Sequence, residues 1–267
     1  MSGMLGVGLF GIQPAMAELV ISRPGWGGEN LAKVALTGGS ARQQLLVTES
    51  LGDGSVVDQT RRAALSAEPA GLVRITDGLV EPLANGSGVI TARIDSGETA
   101  SIPFEVEAVA TEKPINFSNS IVPLFTKHGC NGGGCHGKSG GQNGFKLSLL
   151  GFEPQEDYEY LLREARGRRL FPAAPERSLL LLKATGQLPH GGGSRIEPDS
   201  FDYKTIVKWI RQGMPYGSPD DPKLEAIEVH PPERIMKPEA HQQLVVLARM
   251  TDGSVDDITR SAVFEAN

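Results

Sequence analysis

Short runs of alternating apolar and polar residues dominate the first hundred residues of the chain. In Val89–Ile94 and Ile102–Val106 the apolar side chains occupy every second position, which is the pattern of a half-buried strand. Turn signals such as Asp77-Gly78 separate these runs, because Gly supplies the positive φ angles of tight turns. Several short strands with regular turns predict an antiparallel β-sandwich.

After residue 110 the apolar period becomes helical. In the last of four predicted helices, Ile206, Trp209 and Ile210 form one stripe, and Gly213 and Pro215 end the helix. The predicted helices cover residues 117–127, 156–166, 178–183 and 199–212. Short helices joined by long irregular loops need a further component around which to build a core. We expect Trp209 and Phe125 to pack between the first and last helices.

The chain also contains an internal repeat. Residues 41–47 (ARQQLLV) and 240–246 (AHQQLVV) are each followed by Asp-Gly-Ser-Val and then by Asp-x-Thr-Arg. The second copy lies 199 residues after the first (240 − 41) and keeps its register without a gap. Each copy predicts two strands joined by a tight turn. The second copy stops at Asn267, so we expect the chain to be part of a longer protein or to end inside a domain.

The repeated motifs resemble the bacterial Ig-like domain (group 2) of cell-surface proteins. The resemblance covers residues 18–110, and a second copy begins at about residue 226. It implies an Ig-like β-sandwich at 18–110 and the start of a second, incomplete Ig-like domain at 221–267. Contact with a cell surface or a polysaccharide is the kind of partner that it implies.

Composition and charge indicate a folded protein without affinity for nucleic acid. Hydrophobic residues make up 39% and charged residues 22%, which is ordinary for globular domains. The net charge of −6 gives no electrostatic reason to bind nucleic acid. No segment reaches 18 consecutive apolar residues, so no transmembrane segment is expected.

The first 17 residues have the character of a signal peptide. A short apolar run is followed by Ala15-Met16-Ala17, a small-residue cleavage site. Residues 1–17 are therefore predicted to be removed, and the protein is predicted to be periplasmic or on the cell surface. The same residues contain no Lys or Arg, and a buried N-terminal strand is the alternative.

The chemistry is concentrated in Cys130–Gly137. Cys130 and Cys135 are the only two cysteines of the chain, and His136 directly follows Cys135. Covalent haem attachment needs two thiols and an adjacent His that reaches the iron. Four residues rather than two separate the thiols, and three are Gly, which we expect to let the loop bulge because Gly accepts unusual φ angles. The pattern predicts one covalent haem c per chain, with His136 as the proximal ligand.

Two alternatives compete with haem at this motif. A disulfide is common for two cysteines in an exported protein, and the four-residue gap allows one. A zinc site needs two further ligands, which His128 and His136 supply. The combination of two cysteines, an adjacent His, a preceding helix and a downstream ligand candidate favours haem.

His190 is the predicted sixth ligand. In c-type cytochromes the corresponding loop usually presents a Met, but no Met lies between residues 17 and 213, and Met214 ends the last helix. The alternatives are a surface His190 with five-coordinate iron, or ligation by His128. Three arginines are predicted to pair with haem propionates, since a guanidinium suits a carboxylate, or else to be solvated surface residues: Arg168, Arg169 and Arg195.

Residues 113–217 resemble the cytochrome c domains of planctomycete exported proteins. The motifs that carry the resemblance are Val122-Pro123-Leu124-Phe125, Cys130–His136, Pro175-Glu176-Arg177-Ser178-Leu179, Leu188-Pro189-His190 and Trp209-Ile210-Arg211-Gln212-Gly213. The departures are the wider cysteine loop, which puts the attachment machinery in question, and His190 in place of Met-Pro. The second departure implies two axial histidines and a lower reduction potential than His/Met iron.

The fold expected from the sequence is multidomain: an all-β Ig-like sandwich at 18–110, an all-α cytochrome c-like domain at 111–220, and a partial β segment at 221–267. The expected function is single-electron transfer by a metal-binding haem protein that is not an enzyme, with an unidentified redox partner. The alternative is a haem-free cell-surface adhesion or carbohydrate-binding protein whose Cys130 and Cys135 form a disulfide.

Overall fold

A computed structural model describes residues 18–265. The predicted signal peptide at 1–17 lies outside the described residues. The described residues form two compact units: 18–111 together with 229–245, and 112–228 together with 246–265. Within residues 18–265 no helix has the length and apolar character needed to cross a membrane.

The first unit contains ten strands in its main segment. They are β1 (Glu18–Ser22), β2 (Val34–Thr37), β3 (Gln43–Gln44), β4 (Leu46–Ser50), β5 (Val56–Asp58), β6 (Ala64–Glu68), β7 (Val73–Thr76), β8 (Leu79–Pro82), β9 (Gly86–Arg93) and β10 (Thr99–Glu107). The sheets have the orders β1-β4-β5, β2-β10-β9-β6 and β3-β8-β7. All pairs are antiparallel except β2 with β10, which is parallel.

One hydrophobic core joins these sheets into a sandwich. Burial alternates along β10, where Ile102, Phe104 and Val106 point inward. The same core receives Val47 from β4 and Val80 from β8. The β-sandwich that the alternating pattern predicts at 18–110 is therefore present, because each sheet buries one apolar face against the others.

The two copies of the repeat share a local hydrogen-bond pattern. The hydroxyl of Thr60 accepts from the backbone N–H of Val47 at 2.9 Å, and that of Thr259 accepts from Val246 at 2.9 Å. The later copy forms a three-stranded sheet from β11 (Leu224–His230), β12 (Val245–Met250) and β13 (Val255–Asp257), in the order β11-β12-β13. The run QQLLV was expected to be one strand, but β3 and β4 belong to different sheets.

The second unit contains the four helices, and all are short. They are α1 (Val122–Lys127), α2 (Pro154–Leu162), α3 (Leu179–Ala184) and α4 (Phe201–Arg211). A π-helical turn at Phe117–Ile121 leads into α1, and Asn116 caps it by accepting from the N–H of Asn119. The helices therefore lie close to the predicted positions.

The expected all-α cytochrome c-like domain at 111–220 is nevertheless wrong, and so is the fold class built on it. The helices hold 6, 9, 6 and 11 residues, and irregular chain connects them. The thirteen strands make the described chain richer in strand than in helix. The glycines between α1 and α2 explain part of the difference, because Gly disfavours continued helix.

A separate core holds the helical segments together. Trp209 of α4 is fully buried, and its ring lies 5.4 Å from that of Phe117, which precedes α1. Its indole N–H donates to the carbonyl of Pro215 at 2.8 Å. Phe125 of α1 is buried in the same cluster. Trp209 and Phe125 thus belong to one core, in which the ring of Trp209 contacts Phe117 just before α1.

Candidate functional site

The cysteine loop begins where α1 ends and folds back on itself. The N–H of Cys130 donates to the carbonyl of Phe125 at 2.8 Å, and the N–H of His136 donates to the carbonyl of Cys130 at 2.9 Å. Cys130 and His136 are therefore neighbours across a closed loop. Cys130 and Cys135 are free, partly buried thiols.

The three Gly between the thiols were predicted to let the loop bulge through unusual φ angles, and the structure shows a different role for Gly in this loop. Gly132, Gly133 and Gly134, expected to adopt unusual φ angles, are not among the positive-φ glycines of the described chain. A close approach occurs instead at Gly137, where a Cβ atom would lie 1.9 Å from the carbonyl oxygen of Asn131. The loop closes because Gly137 has no side chain, while Gly134 has open space around it.

His136 and His190 are brought together from two loops. Their rings are nearly parallel, with 8° between the planes and 6.3 Å between the centroids. The Nδ1 of His136 lies 2.9 Å from the carbonyl oxygen of Phe145, and the Nδ1 of His190 lies 2.8 Å from that of Gly193. Since a carbonyl only accepts, each Nδ1 carries the proton in a neutral ring, and each Nε2 holds the lone pair.

Both rings make a hydrogen bond of the kind that metal-ligating histidines commonly make. Such histidines donate their other N–H to a carbonyl, which fixes the tautomer and the ring orientation. The structure brings together His136 and His190, the two residues predicted as iron ligands, with their rings nearly parallel.

Burial controls the charge state of this site. Desolvation raises the pKa of Cys130 to about 11, with a further contribution from nearby Cys135, while Arg195 opposes the shift. Desolvation also lowers the pKa of His136, and the electrostatic influence of His190 and Arg169 acts in the same direction, against the hydrogen bond to Phe145. Cys130 is therefore a neutral thiol and His136 a neutral imidazole at pH 7.

The three predicted arginines have different environments. Arg168 is exposed. Arg169 is buried and donates to the carbonyls of Tyr160, Glu164 and Gly144. Arg195 is exposed, donates through Nε to Gly192 at 2.7 Å, and is close enough to Cys130 to influence its pKa. Arg195 is therefore the one of the three that lies beside both the cysteine loop and the His190 loop.

His128 has a structural partner elsewhere. Its Nε2 lies 2.8 Å from a carboxylate oxygen of Asp202, and Lys127 donates to the same oxygen at 2.8 Å. These contacts tie the end of α1 to the start of α4. They disfavour His128 as the sixth ligand of an iron and as a zinc ligand.

The classification of the chain as a metal-binding cytochrome c is corrected by two findings. Within residues 18–265, no group of three or more His, Cys, Asp or Glu side chains is arranged to hold a metal ion. The all-α domain is also absent from the described residues. A zinc site at Cys130, Cys135, His128 and His136 is thus wrong, because the donors do not converge.

Comparisons with known proteins add little. No family model and no curated protein matches the chain. Among solved structures, a crystal structure of an intimin mutant of EHEC O157:H7 is 13% identical, with a TM-score of 0.25. The match covers 40% of this chain and 55% of that chain, so this chain spans about half of its length. None of these comparisons indicates electron transfer.

Sequence reasoning missed the groups that orient the two histidines. The carbonyls of Phe145 and Gly193 accept hydrogen bonds from the rings. Every residue has a backbone carbonyl, so the sequence does not show which one acts as the acceptor. Asn131, the one non-Gly residue between the two thiols, is also missed: its side chain is buried and donates to the hydroxyl of Thr126 at 2.9 Å. The Gly-rich segment after His136 was the one available hint that the chain returns to this site.

Proposed function

We propose that the chain is an exported, cell-surface type of Ig-like protein whose second unit holds one covalently attached haem. Cys130 and Cys135 would hold this group covalently, and His136 and His190 would supply nitrogen donors to its iron. The observation that carries this proposal is the parallel pair of imidazole rings, 6.3 Å apart. The β-sandwich of the first unit supports the Ig-like part.

The arrangement of donors favours haem over a single metal ion. An ion needs three or four donors that converge on one point, and the cysteines and histidines do not converge in that way. A covalent haem needs a His ligand for its iron, and it needs two thiols that bond to its edge. The free thiols of the closed loop next to His136 meet the second requirement.

A bound haem supplies one-electron chemistry at its iron. If His136 and His190 both held the iron, no position would remain open for a substrate, so we propose electron transfer rather than an enzymatic activity. Two nitrogen ligands favour a lower reduction potential than a His/Met pair. Arg195, exposed beside both ligand loops, is placed to pair with a carboxylate of the bound group.

A haem-free surface protein is the second candidate. In it, Cys130 and Cys135 form a disulfide that staples the loop, and the Ig-like domains contact a surface or a carbohydrate. The β-sandwich and the position of both thiols in one short closed loop favour this candidate.

The intact mass of the purified protein separates the candidates. The chain is produced with a signal peptide in a bacterium that has a periplasmic haem-attachment system. The proposal predicts a mass increase equal to one haem, which disappears in the double variant Cys130→Ala/Cys135→Ala. A mass lower by two hydrogens than that of the reduced chain would support the disulfide and overturn the haem.

A further inference from the structure

Arg169 is a buried arginine that links the end of α2 to the loop around Gly144, and it also lies 3.9 Å from the carboxylate of Glu164. Its side chain is 4% exposed. One Nη donates to the carbonyls of Tyr160 and Glu164 at 2.7 and 2.9 Å, and the other donates to the carbonyl of Gly144. A guanidinium presents several donors in a fixed plane, so it can hold three carbonyls at once.

The loop that Arg169 holds is the one that orients His136. The guanidinium carbon lies 4.6 Å from the ring centroid of Phe145, the residue after Gly144. The carbonyl of Phe145 accepts from Nδ1 of His136, and the two rings lie 4.6 Å apart. Arg169 thus contacts the residue that supplies both the acceptor and one wall for His136.

We infer that Arg169 is the positioning residue for His136: it fixes Gly144 and Phe145, whose carbonyl and ring set the orientation of the imidazole. The role of His136 as an iron ligand rests on the proposed function, whereas the hydrogen-bond chain itself does not. His190 has a separate acceptor, the carbonyl of Gly193. The inference therefore predicts that loss of Arg169 affects one histidine and spares the other.

Hydrogen exchange of the two Nδ1 protons tests this. Nitrogen-15-labelled full-length chain is studied by NMR in the form obtained, either haem-loaded and reduced or haem-free, because the bond to Phe145 is expected in both. In Arg169→Gln the Nδ1 proton of His136 should exchange about fivefold faster, as expected when a hydrogen bond worth about 1 kcal/mol is weakened. The His190 proton should keep its rate. Arg168→Gln, at an exposed neighbouring arginine, is the matched control and should change neither rate.

A merely structural role would give a different pattern. It would lower the melting temperature and accelerate both histidine protons together with the backbone amides of the unit. Equal acceleration of His136 and His190, or an unchanged His136 proton in folded Arg169→Gln, would overturn the inference.

A measurement on the wild type covers the case in which Arg169→Gln does not fold. The guanidinium protons of Arg169 should then exchange slowly and show a nuclear Overhauser effect to the Phe145 ring. Fast exchange of these protons, or the lack of an Overhauser effect to the Phe145 ring, would overturn the inference. A mass spectrum without haem would count against the proposed function and leave this result unaffected.

Discussion

The imidazoles of His136 and His190 lie almost parallel, 6.3 Å apart, although they come from different loops of the second unit. Each ring is held by a backbone carbonyl through Nδ1, at 2.9 Å for His136 and 2.8 Å for His190. Two rings oriented in the same way by separate loops form a pair of nitrogen donors. The remaining nitrogen of each ring is the one that a shared ligand would use.

Replacing His190 should change the spin state of the bound iron without releasing the haem. His190→Ala removes one axial nitrogen, so the protein should lose its low-spin absorption spectrum while Cys130 and Cys135 still retain the group. His241→Ala, at an exposed histidine of the later β segment, is the control and should leave the spectrum unchanged. An unchanged low-spin spectrum in His190→Ala would exclude His190 as a ligand.

Cys130 should react slowly with alkylating reagents in haem-free protein. Its pKa of about 11, against an ordinary value of 9.0, means about a hundredfold less thiolate at neutral pH (11 − 9.0 = 2 pH units). In Cys135→Ser, which leaves Cys130 as the one thiol of the chain, burial still raises the pKa of Cys130, so iodoacetamide modification followed by mass spectrometry should keep accelerating as the pH rises above the ordinary value of 9.0. The same variant unfolded in urea should react fast at pH 8. Equally fast modification of the folded protein would contradict the burial of Cys130.

Two glycine substitutions in the cysteine loop should differ sharply. Gly137→Ala places a methyl group 1.9 Å from the carbonyl oxygen of Asn131, so the loop must open, and we expect a loss of about 3 kcal/mol in unfolding free energy. Gly134→Ala meets open space and should change stability by less than about 0.5 kcal/mol. Urea denaturation of the haem-free proteins measures both values. Equal stabilities would show that the loop does not close around Gly137.

Asp202 should make the second unit sensitive to acid. Its burial alone raises its pKa, but hydrogen bonds from His128 and Lys127 outweigh this effect, and the net pKa lies below the ordinary 3.8. A lowered folded-state pKa means that the stabilisation is fully present above about pH 4 and is lost as the pH falls through the folded-state value.

The variant Asp202→Asn measures this contribution. It should lower the unfolding free energy at pH 7 by about 2 kcal/mol, since hydrogen bonds to a charged group are lost, and should flatten the acid dependence. Asp199→Asn, at an exposed position just before α4, is the control and should retain the wild-type profile. If Asp202→Asn lost stability at acidic pH in the same way as the wild type, Asp202 would not be the source of the acid sensitivity.

The sequence predicted the local elements better than the architecture. The alternation of apolar residues along β10 predicted a strand, and the apolar stripe through Trp209 predicted a helix. Both patterns can be read from residues that are close together in the sequence. The class of the helical segment was wrong because the irregular Gly-rich chain after Cys130 forms contacts that no periodicity reveals. Two such contacts are the close approach of Gly137 to Asn131 and the hydrogen bond from His136 to the carbonyl of Phe145. His136 and His190 were found from residue type and motif, while their mutual orientation required the structure.

The central claim is that one haem is covalently attached through Cys130 and Cys135, between His136 and His190. The most direct test is the absorption spectrum of the protein after acid–acetone extraction, with the protein produced in a host that matures other c-type haem proteins. The account predicts a Soret band that resists extraction in the wild type and is absent from Cys130→Ala/Cys135→Ala. A colourless wild-type protein from that host would contradict it and favour the disulfide-stapled surface protein.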